Sequence, residues 1–374
     1  ALDGSLRPIR SAIITAEVAK NQKIKSVYVP AQNAEQAALV TGVDVFPVEN
    51  LKSLFLHLKK EKIIKPIDRS SIKNISRNHK NIPTIDDIYG QEQAKRAIQI
   101  AVAGRHNILL SGPPGSGKTM LAKSLKNLLP ALSEDEIVEV TKLHSLGEHT
   151  IINNPIIDRP FRSPHHTASR ASIIGGGSKV QPGEISLAHR GVLFLDELLE
   201  YPRTILESLR QPLEDHEITV SRANGKFNFP ANFLLVATMN PCPCGFLGDP
   251  EKTCVCSQNQ ILNYQKRLSG PLLDRIDLTV SVSRVPHEKL LNNKMSTKSQ
   301  QYAFLSEIHK AYSIQRDRYK CSYKYNNDIP SSNVDKITSI SESAKTFLTN
   351  AARKLDLSTR SYFKVIKVSR TIAD

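Results

Sequence analysis

The octapeptide Gly112-Pro113-Pro114-Gly115-Ser116-Gly117-Lys118-Thr119 fits G-x-x-x-x-G-K-[ST], and its surroundings restrict the fold more than any other feature of the chain. The apolar run Asn107-Ile108-Leu109-Leu110 precedes it, and Met120-Leu121-Ala122-Lys123-Ser124-Leu125 follows with the character of a helix start. A strand, a glycine-rich loop and a helix in that order are the context that a phosphate-binding loop requires. The glycines let backbone N–H groups converge on phosphate oxygens, and the helix N-terminus adds partial positive charge. In such a loop the segment Gly112 to Met120 cradles a nucleoside triphosphate. Lys118 reaches the β- and γ-phosphates, and Thr119 ligates magnesium. The rival reading is a glycine-rich turn formed by chance; strand, motif and helix together disfavour it.

A chain of 374 residues can bury a full core and predicts two or three domains. It contains no run of eighteen apolar residues that would cross a membrane. Its first residues, Ala1-Leu2-Asp3-Gly4-Ser5, lack the pattern of a secretory signal. Four of the five cysteines crowd between positions 242 and 256, which does not suit a disulfide framework, so a reducing cytoplasm is the expected setting. The formal net charge of +15 points to a polyanionic partner, but it is unevenly spread: residues 1–83 carry +7, residues 84–285 carry 0, and residues 286–374 carry +8. Any nucleic-acid contact in the middle segment must then come from local loops, with the flanks supplying diffuse attraction. A solvated surface is the plainer reading of a basic flank.

The pattern along the chain predicts an α/β protein. Residues 1–58 read as a small α/β module that starts mid-fold, with helical stretches near Asn33–Val40 and Asn50–Leu58. Residues 59–83 read as a linker. Residues 84–285 alternate helical segments with apolar strands at Ile108–Leu110, Val192–Leu195, Phe233–Thr238 and Leu278–Val282, which argues for a parallel sheet covered on both faces. Residues 286–374 show helical spacing (Phe347, Ala351, Ala352, Leu355) and read as a helical lid domain that stops at Asp374 without a helix-ending signal.

Several polar residues sit where such a sheet would place chemistry. The run Gly191-Val192-Leu193-Phe194-Leu195 ends in Asp196 and Glu197. Asp196 is a candidate for holding magnesium, and Glu197 for orienting the attacking water. The strand through Thr238 and Met239 ends in Asn240, a candidate for aligning that water or touching the γ-phosphate; an ordinary strand-end turn is the alternative. Arg275 lies between Asp274 and Asp277. It reads either as an arginine finger for a neighbouring subunit or as a partner of those acids. Arg360, after Leu357-Ser358-Thr359, opens a helix from which it could reach the γ-phosphate.

Taken in order, GPPGSGKT, FRSPHHTASRASIIGGGSKVQPGEISLAHRGVLFLDELLE, LRQPLEDHEITVSR, VATMNPCPCGFLGD and RLSGPLLDRIDL resemble the magnesium-chelatase-like AAA+ proteins of bacteria, and within them the ComM (YifB) family. The resemblance covers essentially the whole chain. It implies a AAA+ core with a helical lid, ATP and magnesium as cofactors, Asn240 as sensor, Arg275 as a finger acting in trans and Arg360 as lid sensor. It further implies a ring, commonly a homo-hexamer, and a helicase role on single-stranded and branched DNA, with branch migration during natural transformation and recombination. The N-terminal module resembles a partial Lon-protease domain, but the position of the activating lysine holds Ile13 and the serine-bearing segment is absent. A serine without a base partner stays a weak nucleophile, so residues 1–58 are expected to be a non-proteolytic scaffold.

Two segments stand out as DNA contacts. Residues 159–183 carry Arg159, Arg162, His165, His166, Arg170 and Lys179 with no acid among them, and Gly175-Gly176-Gly177 suggests a flexible tip. Residues 217–230 read as a β-hairpin, with a turn at Ala223-Asn224-Gly225-Lys226. In the resembling families such hairpins enter the central pore, where Arg222 and Lys226 would follow phosphates without reading sequence; a subunit-packing element is the alternative. His165 and His166 make poor metal ligands, because adjacent side chains rarely converge on one ion. Cys242-Pro243-Cys244 and Cys254-Val255-Cys256 suit structural zinc, with reduced or redox-active thiols as the alternative, and Cys321 reads as an inert lone thiol. Three functions remain in view: a DNA translocase, a motor that drives metal insertion into a porphyrin, and a protein-remodelling or protease ATPase. Ile13 argues against a protease. The missing acidic metal-binding module argues against the chelatase, and the basic segments favour nucleic acid.

Overall fold

The structure is a computed structural model, and it describes residues 1, 3–68, 82–147, 154–177, 180–222, 225–285, 299–320 and 324–374. In the N-terminal module, strands β1 (Ser26–Pro30) and β2 (Asp44–Val48) pair in parallel, and helix α1 (Ala12–Asn21) packs against them through Ala12, Ile13 and Ala16. Ile13 is fully buried, so the position compared with a catalytic lysine offers only core packing. The expected linker is partly tied down. Ile67 N–H donates to Val45 O at 2.9 Å, and Ile64 N–H donates to His57 Nδ1 at 2.9 Å. Residues 69–81 lie outside the described residues.

The larger unit contains, in chain order, β3 (Ile108–Ser111), β4 (Phe161–Arg162), β5 (Gly175–Gly176), β6 (Gln181–Pro182), β7 (Val192–Leu195), β8 (Glu217–Arg222), β9 (Gly225–Pro230), β10 (Leu234–Met239) and β11 (Leu278–Ser281). Five of these form one parallel sheet in the order β11-β3-β10-β7-β4. The four longer strands match the apolar runs read from the sequence to within a residue or two. The continuous apolar character of β3, β7 and β10 follows from having both faces covered, whereas β11 alternates and leaves Thr279 and Ser281 exposed. Leu109, Leu193, Leu195, Leu235 and Ala237 point into one core layer, while Ile108, Leu110, Val192, Phe194, Leu234 and Val236 point into the other. Edge strand β4 was not anticipated. It is two residues long and lies inside the stretch read as a basic insertion.

Helix α2 (Glu92–Gly104) covers one layer through Ala94, Ile98, Ala101 and Val102. Helix α3 (Lys118–Ser124) begins directly after Gly117, whose φ of 88° turns the chain from loop to helix. Helix α4 (Glu134–Ser145) carries a capping box: Ser133 Oγ accepts from Glu136 N–H, and Glu136 reaches back to Ser133 N–H. The N-terminal module docks on α4, where Ser11 donates to Ser145 O at 3.1 Å, Lys142 pairs with Glu17, and Val138 joins the small core.

The C-terminal segment is helical, as the sequence predicts. Helix α5 (Gln300–Tyr319) lies on α2 and puts Ile308 and Ala311 into the core. Helix α6 (Glu342–Lys354) leaves Phe347 77% exposed, and Leu355 beyond its end is 69% exposed, while Leu348 packs against a small C-terminal cluster with Ile329, Val334 and Ile366. Helix α7 (Thr359–Ala373) is anchored at the N-terminal end of the sheet. Thr371 Oγ1 lies 2.7 Å from His106 Nε2, and Lys364 donates to Ile276 O at 2.7 Å. The phosphate loop leaves the opposite, C-terminal end of β3, so α7 does not close over it.

Candidate functional site

Parallel pairing brings the ends of β3, β7 and β10 side by side, and each delivers its polar residues to one edge of the sheet. The loop after β3 passes so close to the residue after β11 that a Cβ on Gly112 would lie 2.1 Å from Val282 O; glycine is required there. Lys118 is buried, and its ammonium donates to Gly112 O at 2.7 Å, Pro113 O at 2.8 Å and Asn240 Oδ1 at 3.2 Å. Burial lowers its pKa, and the carboxylates of Asp196 and Glu197 oppose that shift. Thr119 Oγ1 donates to Asp196 Oδ2 at 3.1 Å. Thr238, inside β10, donates to Asp196 Oδ1 at 2.5 Å and accepts from Glu197 N–H at 3.0 Å. Glu197 is exposed and holds a left-handed backbone at φ 53°, a strain of about 1 kcal/mol or more for a non-glycine residue. Lys118, Thr119, Asp196, Glu197 and Asn240 therefore meet at one edge. The paired hard oxygens of Thr119 and Asp196 are the donor type that magnesium takes.

A cleft of about 320 Å³ opens beside this edge, lined by Ile88, Tyr89, Gln91, Gly115, Ser116, Gly117, Met120, Glu251, Arg284 and Val285. Its apolar walls suit a flat base, with the phosphate loop at one side. Gln91 ties the cleft to the loop by donating to Ser116 O at 3.3 Å and also to Ser283 O. Thr238, Gln91, Tyr89 and Arg284 were missed in the sequence. Only Thr238 had a local signal, as a hydroxyl inside an otherwise apolar strand.

The two candidate arginines lie elsewhere. Arg275 O accepts from Asn107 Nδ2 at 3.0 Å, which sets Arg275 at the N-terminal end of β3. Four strand residues put roughly 13 Å between that end and the phosphate loop. Arg275 pairs with Glu214 and donates to Pro271 O at 2.6 Å, and its side chain is 13% exposed. The intramolecular partner is thus Glu214, not Asp274 or Asp277; Asp277 instead accepts from Asn107 N–H at 2.8 Å. Arg360 lies 3.5 Å from the same Glu214, at the same end of the sheet as Arg275.

The hairpin is present, and two residues read as turn belong to its second strand. Pairing runs from Glu217↔Pro230 to Arg222↔Gly225, so Lys226 lies within β9, and positions 223 and 224 are outside the described residues. Ile218, Val220 and Phe229 root it in the core, while Lys226 is exposed and Phe227 is 39% exposed. The acid-free stretch 159–183 is largely neutralised in space. Arg159 pairs with Glu136 at 2.9 Å, and Arg162 makes a two-bond pair with Glu184 at 2.5 and 2.6 Å. Arg170 is exposed, and Lys179 lies outside the described residues. The glycines expected at a flexible tip are partly fixed, because Gly175 and Gly176 pair with Pro182 and Gln181. His165 is engaged with Thr167 Oγ1 at 2.8 Å.

Among the described residues, Cys242, Cys244, Cys254 and Cys256 form the one cluster of three or more His, Cys, Asp or Glu side chains close enough to share an ion. Their sulfurs all lie within 4.8 Å of one another, and Cys242 is fully buried. Cys321 lies outside the described residues.

Sheet order, phosphate loop, acid pair and strand-end amide together define a P-loop protein of the AAA+ class. Comparison with known proteins then gives the family. Residues 84–290 match the family described as magnesium chelatase, subunit ChlI, and residues 297–374 match its C-terminal counterpart. The whole chain is 41% identical to the competence protein ComM of Haemophilus influenzae and 36% identical to the uncharacterized protein YifB of Salmonella typhimurium, spanning 72% of each. A magnesium-chelatase subunit ChlI from Olisthodiscus luteus is 26% identical over 164 residues, 41% of this chain and 49% of that protein. The chain belongs to the magnesium-chelatase-like AAA+ family, among the relatives of ComM and YifB.

Proposed function

We propose that this chain is an ATP-hydrolysing ring motor, a homo-hexamer acting on single-stranded and branched DNA as a helicase that promotes branch migration. The observation that carries the ring is the separation of parts within one chain: the phosphate loop lies at one end of the sheet, and Arg275 and Arg360 lie together at the other. A neighbour presenting its Arg275–Arg360 end to the loop would complete the site. Each arginine would then leave Glu214 for the transferring phosphoryl group.

Lys118 would exchange its carbonyl partners for β- and γ-phosphate oxygens. Thr119 and Asp196 would hold magnesium, which supplies charge neutralisation between the phosphates. Glu197 orients the attacking water, and Asn240, already on Lys118, reports the γ-phosphate. Thr238 fixes both acids. The exposed Lys226 and Phe227, with Arg222, Arg170 and Lys179, form the DNA contact, which suits a motor that follows the backbone regardless of sequence. The ComM relative is named a competence protein. That supports a role in natural transformation and, with it, a cytoplasmic location. The four cysteines are proposed to hold structural zinc.

The test is the ATPase rate with and without single-stranded DNA, together with displacement of an annealed oligonucleotide. Stimulation and displacement are expected. No change in turnover and no displacement would leave an ATPase with a different client.

A further inference from the structure

The cysteine loop does more than close on itself. Its Sγ–Sγ separations of 3.4 Å (Cys242–Cys244), 3.6 Å (Cys242–Cys254) and 3.6 Å (Cys244–Cys254) are far beyond a disulfide bond. They are near the edge of about 3.8 Å of a tetrahedron with zinc–sulfur bonds of about 2.3 Å. Cys244 N–H donates to Cys256 Sγ at 3.4 Å. The loop has little core of its own: Leu247 is 38% and Val255 84% exposed. Apolar burial therefore does not offset the cost of ordering it.

The same loop is pressed against the phosphate loop. Gly245 has φ +84°, and a Cβ there would lie 2.6 Å from Pro114 Cδ and 2.8 Å from its Cγ. Arg284 forms a second bridge. It donates to Pro114 O at 3.3 Å, pairs with Asp249 at 2.9 Å, and lies 5.5 Å from the Phe246 ring centre. Asn240, two residues before Cys242, reaches Lys118.

We infer that zinc bound by Cys242, Cys244, Cys254 and Cys256 braces the phosphate loop through Gly245 and Arg284, so that occupancy of the metal site sets the affinity for nucleotide. This rests on the zinc reading of the cysteines, and the experiment separates the two. The metal content of the purified full chain is measured by mass spectrometry. Binding of a fluorescent ATP analogue is then measured before and after zinc removal with a thiol reagent and chelator, with circular dichroism as the check on folding. One zinc per chain is expected, and its removal should weaken nucleotide binding by about tenfold or more, the usual cost of losing a supporting shell. Absence of zinc, or iron in its place, overturns both the zinc site and the brace. Zinc present, with affinity unchanged on removal, overturns the brace and leaves the zinc site standing. Should removal unfold the chain, Gly245→Ala decides. It should keep zinc and still weaken nucleotide binding about tenfold, because the added methyl displaces Pro114; full zinc with unchanged affinity overturns the inference.

Discussion

Thr238 is the residue on which the acid pair depends. One hydroxyl holds the Asp196 carboxylate and accepts the backbone N–H of Glu197, which keeps a strained backbone in place. Thr238→Val keeps the shape and removes the hydroxyl. It should retain nucleotide binding and lower hydrolysis by about tenfold or more, readable as a fall in kcat without a matching change in nucleotide affinity. Lys118→Ala should abolish nucleotide binding, whereas Glu197→Gln should trap ATP without turnover. His189 gives a pH signature. Its Nδ1 accepts from Asn232 N–H at 3.0 Å, so the ring is held neutral, and burial followed by the Arg190 charge pushes its pKa down from 6.5 to about 4. Folding thus excludes a proton. The stability from His189 is fully present above pH 6.5 and is lost as pH falls towards 4. This loss is on the order of 3 kcal/mol, and the slope of unfolding free energy over that window should shrink in His189→Gln. At this scale Lys118, Thr119, Asp196, Glu197 and Asn240 were legible, because each follows an apolar strand as a recognisable end. Gln91, Tyr89 and Arg284 were not: their partners lie across the fold, and nothing near them in the chain announces the cleft.

Elements carried a mixed signal. Strands β3, β7 and β10 were readable because burial on both faces demands unbroken apolar runs, and β11 from its alternation. The two-residue strand β4 is too short to show any period. The hairpin was readable from alternation and Asn224-Gly225, although Gly225 and Lys226, read as part of the turn, pair within β9. The acid-free stretch misled, because sequence shows which acids are absent locally and not that Glu136 and Glu184 arrive from other elements. Apolar spacing in α6 was legible as helical, but not which of its residues pack: Leu348 joins the small C-terminal cluster while Phe347 stays exposed. Lys226 lies on the exposed side of β9, so Lys226→Ala should leave basal ATP hydrolysis intact and weaken its stimulation by DNA. The salt dependence of DNA binding should also become shallower, by about one unit of log–log slope for each phosphate that the ring no longer neutralises. Equal stimulation in variant and parent would remove the hairpin from the DNA path.

For the whole molecule, the proposed ring requires that no chain completes its own site. The C-terminal segment was legible as helical, but its docking at the N-terminal end of the sheet was not, since His106–Thr371 and Lys364–Ile276 join positions far apart in sequence. That docking is what sets Arg360 beside Arg275 on Glu214 and away from the phosphate loop. The most direct measurement mixes two inactive variants, Lys118→Ala, which lacks a working phosphate loop, and Arg275→Ala, which lacks the finger. An equal mixture should recover ATP hydrolysis towards about a quarter of the parent rate, because random assembly restores that share of complete interfaces. A mixture as inactive as either variant alone, although both assemble, would contradict the account.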